Sequence, residues 1–195
     1  MALTPSTQFL PLGTLAPEFK LIDTNVPNFS ETSPVFKTFA DCRGQKGTVV
    51  IFMCNHCPYV VHILRRLLIV TRVYEEKGIH FVGINANSQT THPQDAPEHM
   101  HALAVKEKFV FPYLFDHTQS VAKAYHAACT PDFFVFDHQN RCVYRGRFDE
   151  SSPGKATTPV TGEDLTRALD ALLTGEPVPV AQYPSMGCNI KWDTN

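Results

Sequence analysis

Thr48-Val49-Val50-Ile51-Phe52-Met53-Cys54-Asn55-His56-Cys57-Pro58 is the stretch on which the fold turns. The run 48–53 is apolar or β-branched throughout, as a strand buried on both faces requires. Beyond it, Val60, Ile63, Leu64, Leu67, Val70 and Tyr74 recur at helical spacing over 57–77, and Gly78 closes the segment. Pro58 fits such a helix in its first turn, where a missing N–H costs nothing. A strand that passes straight into a helix sets Cys54 and Cys57 at a helix N-terminus. Unpaired amides and the helix dipole there favour a thiolate, the form of sulfur that attacks disulfides, peroxides and metals. Cys57 lies one turn beyond Cys54, within disulfide reach. Cys54 is expected to be the more exposed thiol and to attack, Cys57 to resolve the mixed disulfide, and His56 to stabilise a thiolate as an imidazolium. Two thiolates at this spacing also open zinc knuckles. No second Cys-x-x-Cys and no His-x-x-x-His accompanies them, so the pair reads as a redox pair.

Around this junction the pattern continues as strand and helix. Residues 79–84 read as a buried strand, 96–108 as a helix, 113–115 as a short strand and 118–127 as a short helix. The runs 133–137 and 143–148 flank the polar turn Asp137-His138-Gln139-Asn140 as a hairpin. Residues 149–160 form a Ser/Pro/Gly/Thr loop. Thr161-Gly162-Glu163-Asp164 has the spacing of a capping box for a last helix that Gly175 ends. The reading is one α/β domain over 1–195, with mixed strand directions. Its parts are an N-terminal β-hairpin extension (1–47), a core (48–175) and a tail (176–195). The tail carries three prolines and no periodicity, yet it holds the chain's one tryptophan. Trp192 and Ile190 are therefore expected to anchor it on the core.

Composition bounds the function. With 17 basic and 19 acidic residues and a formal charge of −2, the 195-residue chain has no electrostatic case for nucleic acid or a membrane surface. No apolar stretch approaches a membrane span, and no basic-then-apolar leader opens the sequence. Six cysteines in that setting point to reduced, working thiols and a cytoplasmic protein.

The element order, β-α-β and then β-β-α, is the thioredoxin-like arrangement, and the chain resembles the peroxiredoxin-like (AhpC/TSA, redoxin-domain) branch of the thioredoxin superfamily. The resemblance rests on 13–21 (opening Gly13-Thr14-Leu15-Ala16-Pro17), 52–60 around the cysteine pair, 128–137 (Ala128-Cys129-Thr130-Pro131-Asp132 onward), 144–149 (Tyr144-Arg145-Gly146-Arg147-Phe148-Asp149) and 184–192. It implies a cis Thr130–Pro131 bond facing the cysteines, with the Thr130 backbone free to pair with a substrate peptide and a shallow groove walled by Tyr59, Phe133 and Phe134. It also implies that Cys129 lies near Cys54, as a third redox thiol, a metal ligand or a buried small hydrophobe. Arg147 falls on the strand from which peroxiredoxins supply a thiolate-stabilising arginine, and the tail segment would bring Cys188 toward the site as a further redox thiol. Peroxiredoxins carry Pro-x-x-x-Thr-x-x-Cys; this chain has Val50, Cys54 and Cys57 at those places. Without the proline and the hydroxyl, disulfide exchange is favoured over peroxide reduction. The expected partners are protein or small-molecule disulfides or peroxides and a dithiol electron donor, with no cofactor and no resident metal. The rival readings are a thiol peroxidase using Cys57 and a copper-binding thiol module like the copper-handling proteins on this fold.

Overall fold

The computed structural model describes residues 3–154, 157–179 and 181–193. In chain order the elements begin with β1 (Leu3–Pro5), β2 (Lys20–Asp23), β3 (Phe36–Thr38), α1 (Phe39–Cys42), β4 (Gly47–Phe52) and α2 (Pro58–Glu75). They continue with β5 (Ile79–Asn85), α3 (Pro97–Glu107), β6 (Tyr113–Phe115), α4 (Ser120–Ala124) and β7 (Cys129–Thr130). The last are β8 (Asp132–Asp137), β9 (Cys142–Gly146), α5 (Glu163–Thr174) and β10 (Met186–Asn189).

Seven strands form the main sheet in the order β3-β2-β6-β5-β4-β8-β9. β4 runs parallel to β5 and antiparallel to β8, so it lies inside the sheet and every residue of it is buried. Its side chains alternate between the two faces. Val49, Ile51 and Met53 pack with residues of α2, α3 and α5, while Val50 and Phe52 pack with α1 and α4. One continuous apolar run thus serves two cores, which is why it shows no polar alternation.

A second sheet, β1-β10-β7, ties the two chain ends together: Leu3 pairs with Cys188, and Cys188 with Thr130. The tail therefore docks as a strand. Ile190 is 1% exposed in the second core, whereas Trp192 remains 38% exposed with the Lys123 ammonium 5.7 Å over its ring. Ile190 anchors the tail; Trp192 does not. The N-terminal region contains the expected hairpin in β2 and β3, joined by the long connection 24–35, but β1 lies apart from it in the tail's sheet.

The capping box read at Thr161–Asp164 does not form. Gly162 is the N-cap of α5 with φ +74, a conformation that suits glycine, and Asp149 Oδ2 accepts from the amides of Thr161 (2.7 Å) and Gly162 (2.6 Å). A capping box does form at Thr38 and Asp41, starting α1. β9 ends at Gly146, two residues short of the expected strand, because the amides beyond it turn away: Arg147 N donates to Tyr183 O.

Candidate active site

Cys57 is the N-cap of α2 and Pro58 its first residue, so the helix opens on the sulfur as the sequence predicts. The bond Thr130–Pro131 is cis, and the Thr130 carbonyl oxygen lies 3.1 Å from Cys57 Sγ. Thr130 Oγ1 is 3.6 Å from Cys54 Sγ. Cys188 stands opposite Thr130 in the β10–β7 register and makes a side-chain hydrogen bond with Cys57. Cys57 therefore sits between two other thiols, Cys54 and Cys188.

Both motif cysteines are covered. Cys54 is 1% exposed and Cys57 0%, so Cys54 is not the accessible thiol that its place in the motif suggested. The cover over Cys57 is Thr130 and strand β10, which packs on α2. Nor does Cys54 carry the charge. The Cys54 thiol, with help from the Cys188 thiol, the Thr130 hydroxyl and the Val60 amide, holds the Cys57 thiol well below the usual range, against the effect of burial. When protonated, Cys57 Sγ donates to the Thr130 carbonyl oxygen at 3.1 Å. Cys54 is pushed up, first by its hydrogen bond to Cys57, then by burial and the charge of Asp95. Burial and the Cys57 charge push Cys188 up to about 12.

Asp95, a residue that no sequence motif singles out, organises the loop between the cysteines. It is wholly buried in a short 3₁₀ turn after β5. Its Oδ1 accepts from the Asn55 amide at 2.9 Å; its Oδ2 accepts from Asn87 Nδ2 at 2.8 Å and lies 2.8 Å from His56 Nδ1. The His56 ring stacks on His92 at 5.3 Å. His56 is thus turned toward Asp95, with a ring nitrogen close to Cys54. The one available signal was the polar run Asn85-Ala86-Asn87-Ser88, at the carboxyl edge of a parallel strand where α/β sheets place ligands.

Three expectations change. Arg147 is not a thiolate stabiliser: its Nε donates to Asp164 Oδ2 at 2.7 Å and its guanidinium lies 4.5 Å over Tyr183. Of the three readings of Cys129 the structure favours the buried small hydrophobe: it is 0% exposed, and burial first, then the Asp132 charge, hold it protonated. The groove beside Pro131 is a cavity of about 460 Å³ whose walls include Tyr59, Arg147, Phe148 and Tyr183. Phe133 and Phe134 do not line it but are buried in opposite cores, Phe133 stacked on Phe148 and Phe134 against Phe52 and Tyr125.

A short buried network flanks the thiols. Asp132, next after Pro131, accepts from Ser6 Oγ at 2.8 Å, and burial pushes its carboxyl up to about 7.

The AhpC/TSA family profile matches residues 12–145. The chain belongs to the AhpC/TSA family. An uncharacterized conserved protein from Geobacillus kaustophilus is 45% identical over 100% of this chain and 98% of its own, with a TM-score of 0.93. A hypothetical protein from Sinorhizobium meliloti 1021 is 41% identical over 98% of this chain and 100% of its own, with a TM-score of 0.91. A putative thiol:disulfide interchange protein DsbE from Chlorobium tepidum shares the thioredoxin-like fold at 18% identity and a TM-score of 0.57, over 84% of this chain and 99% of its own. No curated protein matches. Among the described residues no helix of this AhpC/TSA protein is long and apolar enough to cross a membrane.

Proposed function

We propose that the protein is a thiol–disulfide oxidoreductase in which Cys57 is the central sulfur. The observation that carries this reading is the placement of Cys57 Sγ at the start of α2, in hydrogen-bond contact with the thiols of both Cys54 and Cys188 and beside the cis Thr130–Pro131 bond. A Cys57 thiolate attacks one sulfur of a substrate disulfide and expels the other as a thiolate, which leaves a mixed disulfide. A neighbouring Cys54 or Cys188, giving up its proton, then attacks Cys57, and the second substrate thiol departs. The substrate disulfide gains two electrons and two protons to become two thiols, two protein thiols become one internal disulfide, and a dithiol donor resets it. The cavity beside Pro131 offers the apolar bed for the substrate chain, and strand β10 yields when substrate docks, because it covers Cys57.

Peroxide reduction is the second reading, favoured by the place of Cys57 in the family's pattern. There the Cys57 thiolate attacks the terminal oxygen of a hydroperoxide, the O–O bond breaks and the alcohol leaves after taking up a proton; the resulting sulfenic acid then condenses with a neighbouring thiol to a disulfide and water. Val50 and Cys54 in place of proline and threonine, and Arg147 engaged with Asp164, weigh against it.

Stopped-flow rates with a protein disulfide and with hydrogen peroxide separate the two, and a faster peroxide reaction would overturn the first. Trapping the mixed disulfide in Cys54→Ser/Cys188→Ser protein, and failing to trap it in Cys57→Ser, would establish Cys57 as the attacking sulfur.

A further inference from the structure

Cys54 Sγ, a ring nitrogen of His56 and a carboxylate oxygen of Asp95 lie within 4.8 Å of one another. The three come from two separate segments, the motif loop and the turn after β5, brought together by the hydrogen bond from the Asn55 amide to Asp95. We propose that they form a binding site for one zinc-class divalent cation, open only while Cys54 is reduced.

The chemistry of the donors selects the cation. Once Cys54 gives up its proton to solvent on metal binding, one thiolate, one imidazole and one carboxylate make the mixed set that borderline cations such as zinc accept, whereas calcium and magnesium take oxygen alone. Three protein ligands leave the fourth tetrahedral position to water. Zinc bonds of about 2.0 to 2.3 Å place ligand atoms roughly 3.3 to 3.7 Å apart. His56 Nδ1 and Asp95 Oδ2, now 2.8 Å apart, need to separate by only about half an ångström for a cation to enter between them.

Two features of the surroundings support the site. Asp95 is 0% exposed, and its ion-pair partner among the described residues is His56, which is charged only when protonated. A buried carboxylate with so conditional a countercharge is a place where a cation lowers the energy of burial. Asp95 is also held as metal-ligating carboxylates are, with the Asn55 amide on one oxygen and Asn87 Nδ2 on the other. Cys57 is not part of the set. A Cys54–Cys57 disulfide removes the thiolate donor, so oxidation by a substrate disulfide releases the cation. Binding itself needs only reduced Cys54 and stands apart from the disulfide chemistry of the pair.

The test is titration of the reduced, metal-free full chain with cobalt(II). The expected result is saturation at one equivalent, with thiolate-to-cobalt charge-transfer absorption and the intense visible bands of a tetrahedral site, both abolished by added zinc. Cys54→Ser should remove the charge-transfer band, and His56→Ala and Asp95→Asn should each weaken binding by at least about tenfold. Cys57→Ser should leave stoichiometry and spectrum unchanged. Asp95 also anchors the motif loop, so His56→Ala carries the test if Asp95→Asn fails to fold. The proposal is overturned by the absence of the band in the unmodified chain, by its survival in Cys54→Ser, or by a band lost in Cys57→Ser and kept in His56→Ala, which would place the cation on the two thiols instead.

Discussion

The Thr130 carbonyl oxygen lies 3.1 Å from Cys57 Sγ, on the same short strand that pairs with the C-terminal β10. One residue thus joins the motif, the cis proline and the tail. Thr130 faces Cys57 with its carbonyl, reaches Cys54 with its hydroxyl, and pairs in register with Cys188. The consequence is a line of three sulfurs with Cys57 in the middle.

That line predicts which disulfides form. Oxidised glutathione should yield Cys54–Cys57 in the unmodified chain and Cys57–Cys188 in Cys54→Ser, while Cys57→Ser should form neither. Peptide mass spectrometry after alkylation reads all three. A Cys54–Cys188 bond as the main product in Cys57→Ser would show that the sulfurs are not ordered in this way.

Gly187 decides whether Cys188 stays in that line. A Cβ at Gly187 would run into the backbone carbonyl of Thr130, an atom that cannot move without moving β7. Gly187→Ala should therefore cost about 1–3 kcal/mol or more, as overpacking does, and should also suppress the Cys57–Cys188 disulfide in the Cys54→Ser background. Thermal melts and disulfide mapping check it; a variant of unchanged stability would mean that the strand contact is loose.

The main sheet and the site were unequally legible in the sequence. The run 48–53, the helix from Pro58 and the α5 stop at Gly175 could be read because local pattern and final environment agree there. The tail strand could not, since Met186-Gly187-Cys188-Asn189 has no alternation; it becomes a strand by pairing with β1 and β7 from remote parts of the chain. Arg147 misled for a related reason: the chain leaves the strand at Gly146, and the arginine then meets Asp164 on α5. Asp95 was invisible because nothing in Pro93-Gln94-Asp95 shows that this turn will fold against the Cys54–Cys57 loop.

Asp132 should set a stability difference with pH. Its carboxyl is raised by burial to about 7 from an ordinary value near 3.8, so the folded protein holds this proton more tightly than the unfolded chain. The group's contribution is fully present below about pH 4 and is lost as pH rises through about 7. Relative to Asp132→Asn, which has no such titration, the unmodified chain should lose about 4 kcal/mol across that window, with no further change above it. Urea unfolding of both proteins from pH 4 to pH 8 measures this; a difference that stays flat would mean that Asp132 does not titrate in the folded protein.

The tail's two large apolar residues should behave oppositely. Ile190 is 1% exposed in the core that includes Tyr125 and Phe134, and its amide donates to Ala128 O, so it fixes the chain just past β10. Ile190→Ala should cost about 2–5 kcal/mol, the range for emptying a packed aliphatic site. Trp192, with 38% of its surface exposed and a lysine ammonium over its face, gains only the modest energy of a surface cation–π contact. Trp192→Ala should therefore cost about 1 kcal/mol or less, and its fluorescence should be quenched readily by acrylamide in the folded protein. A larger loss for Trp192→Ala than for Ile190→Ala would mean that the tail is held from its end and not through the β10 pairing that brings Cys188 to Cys57.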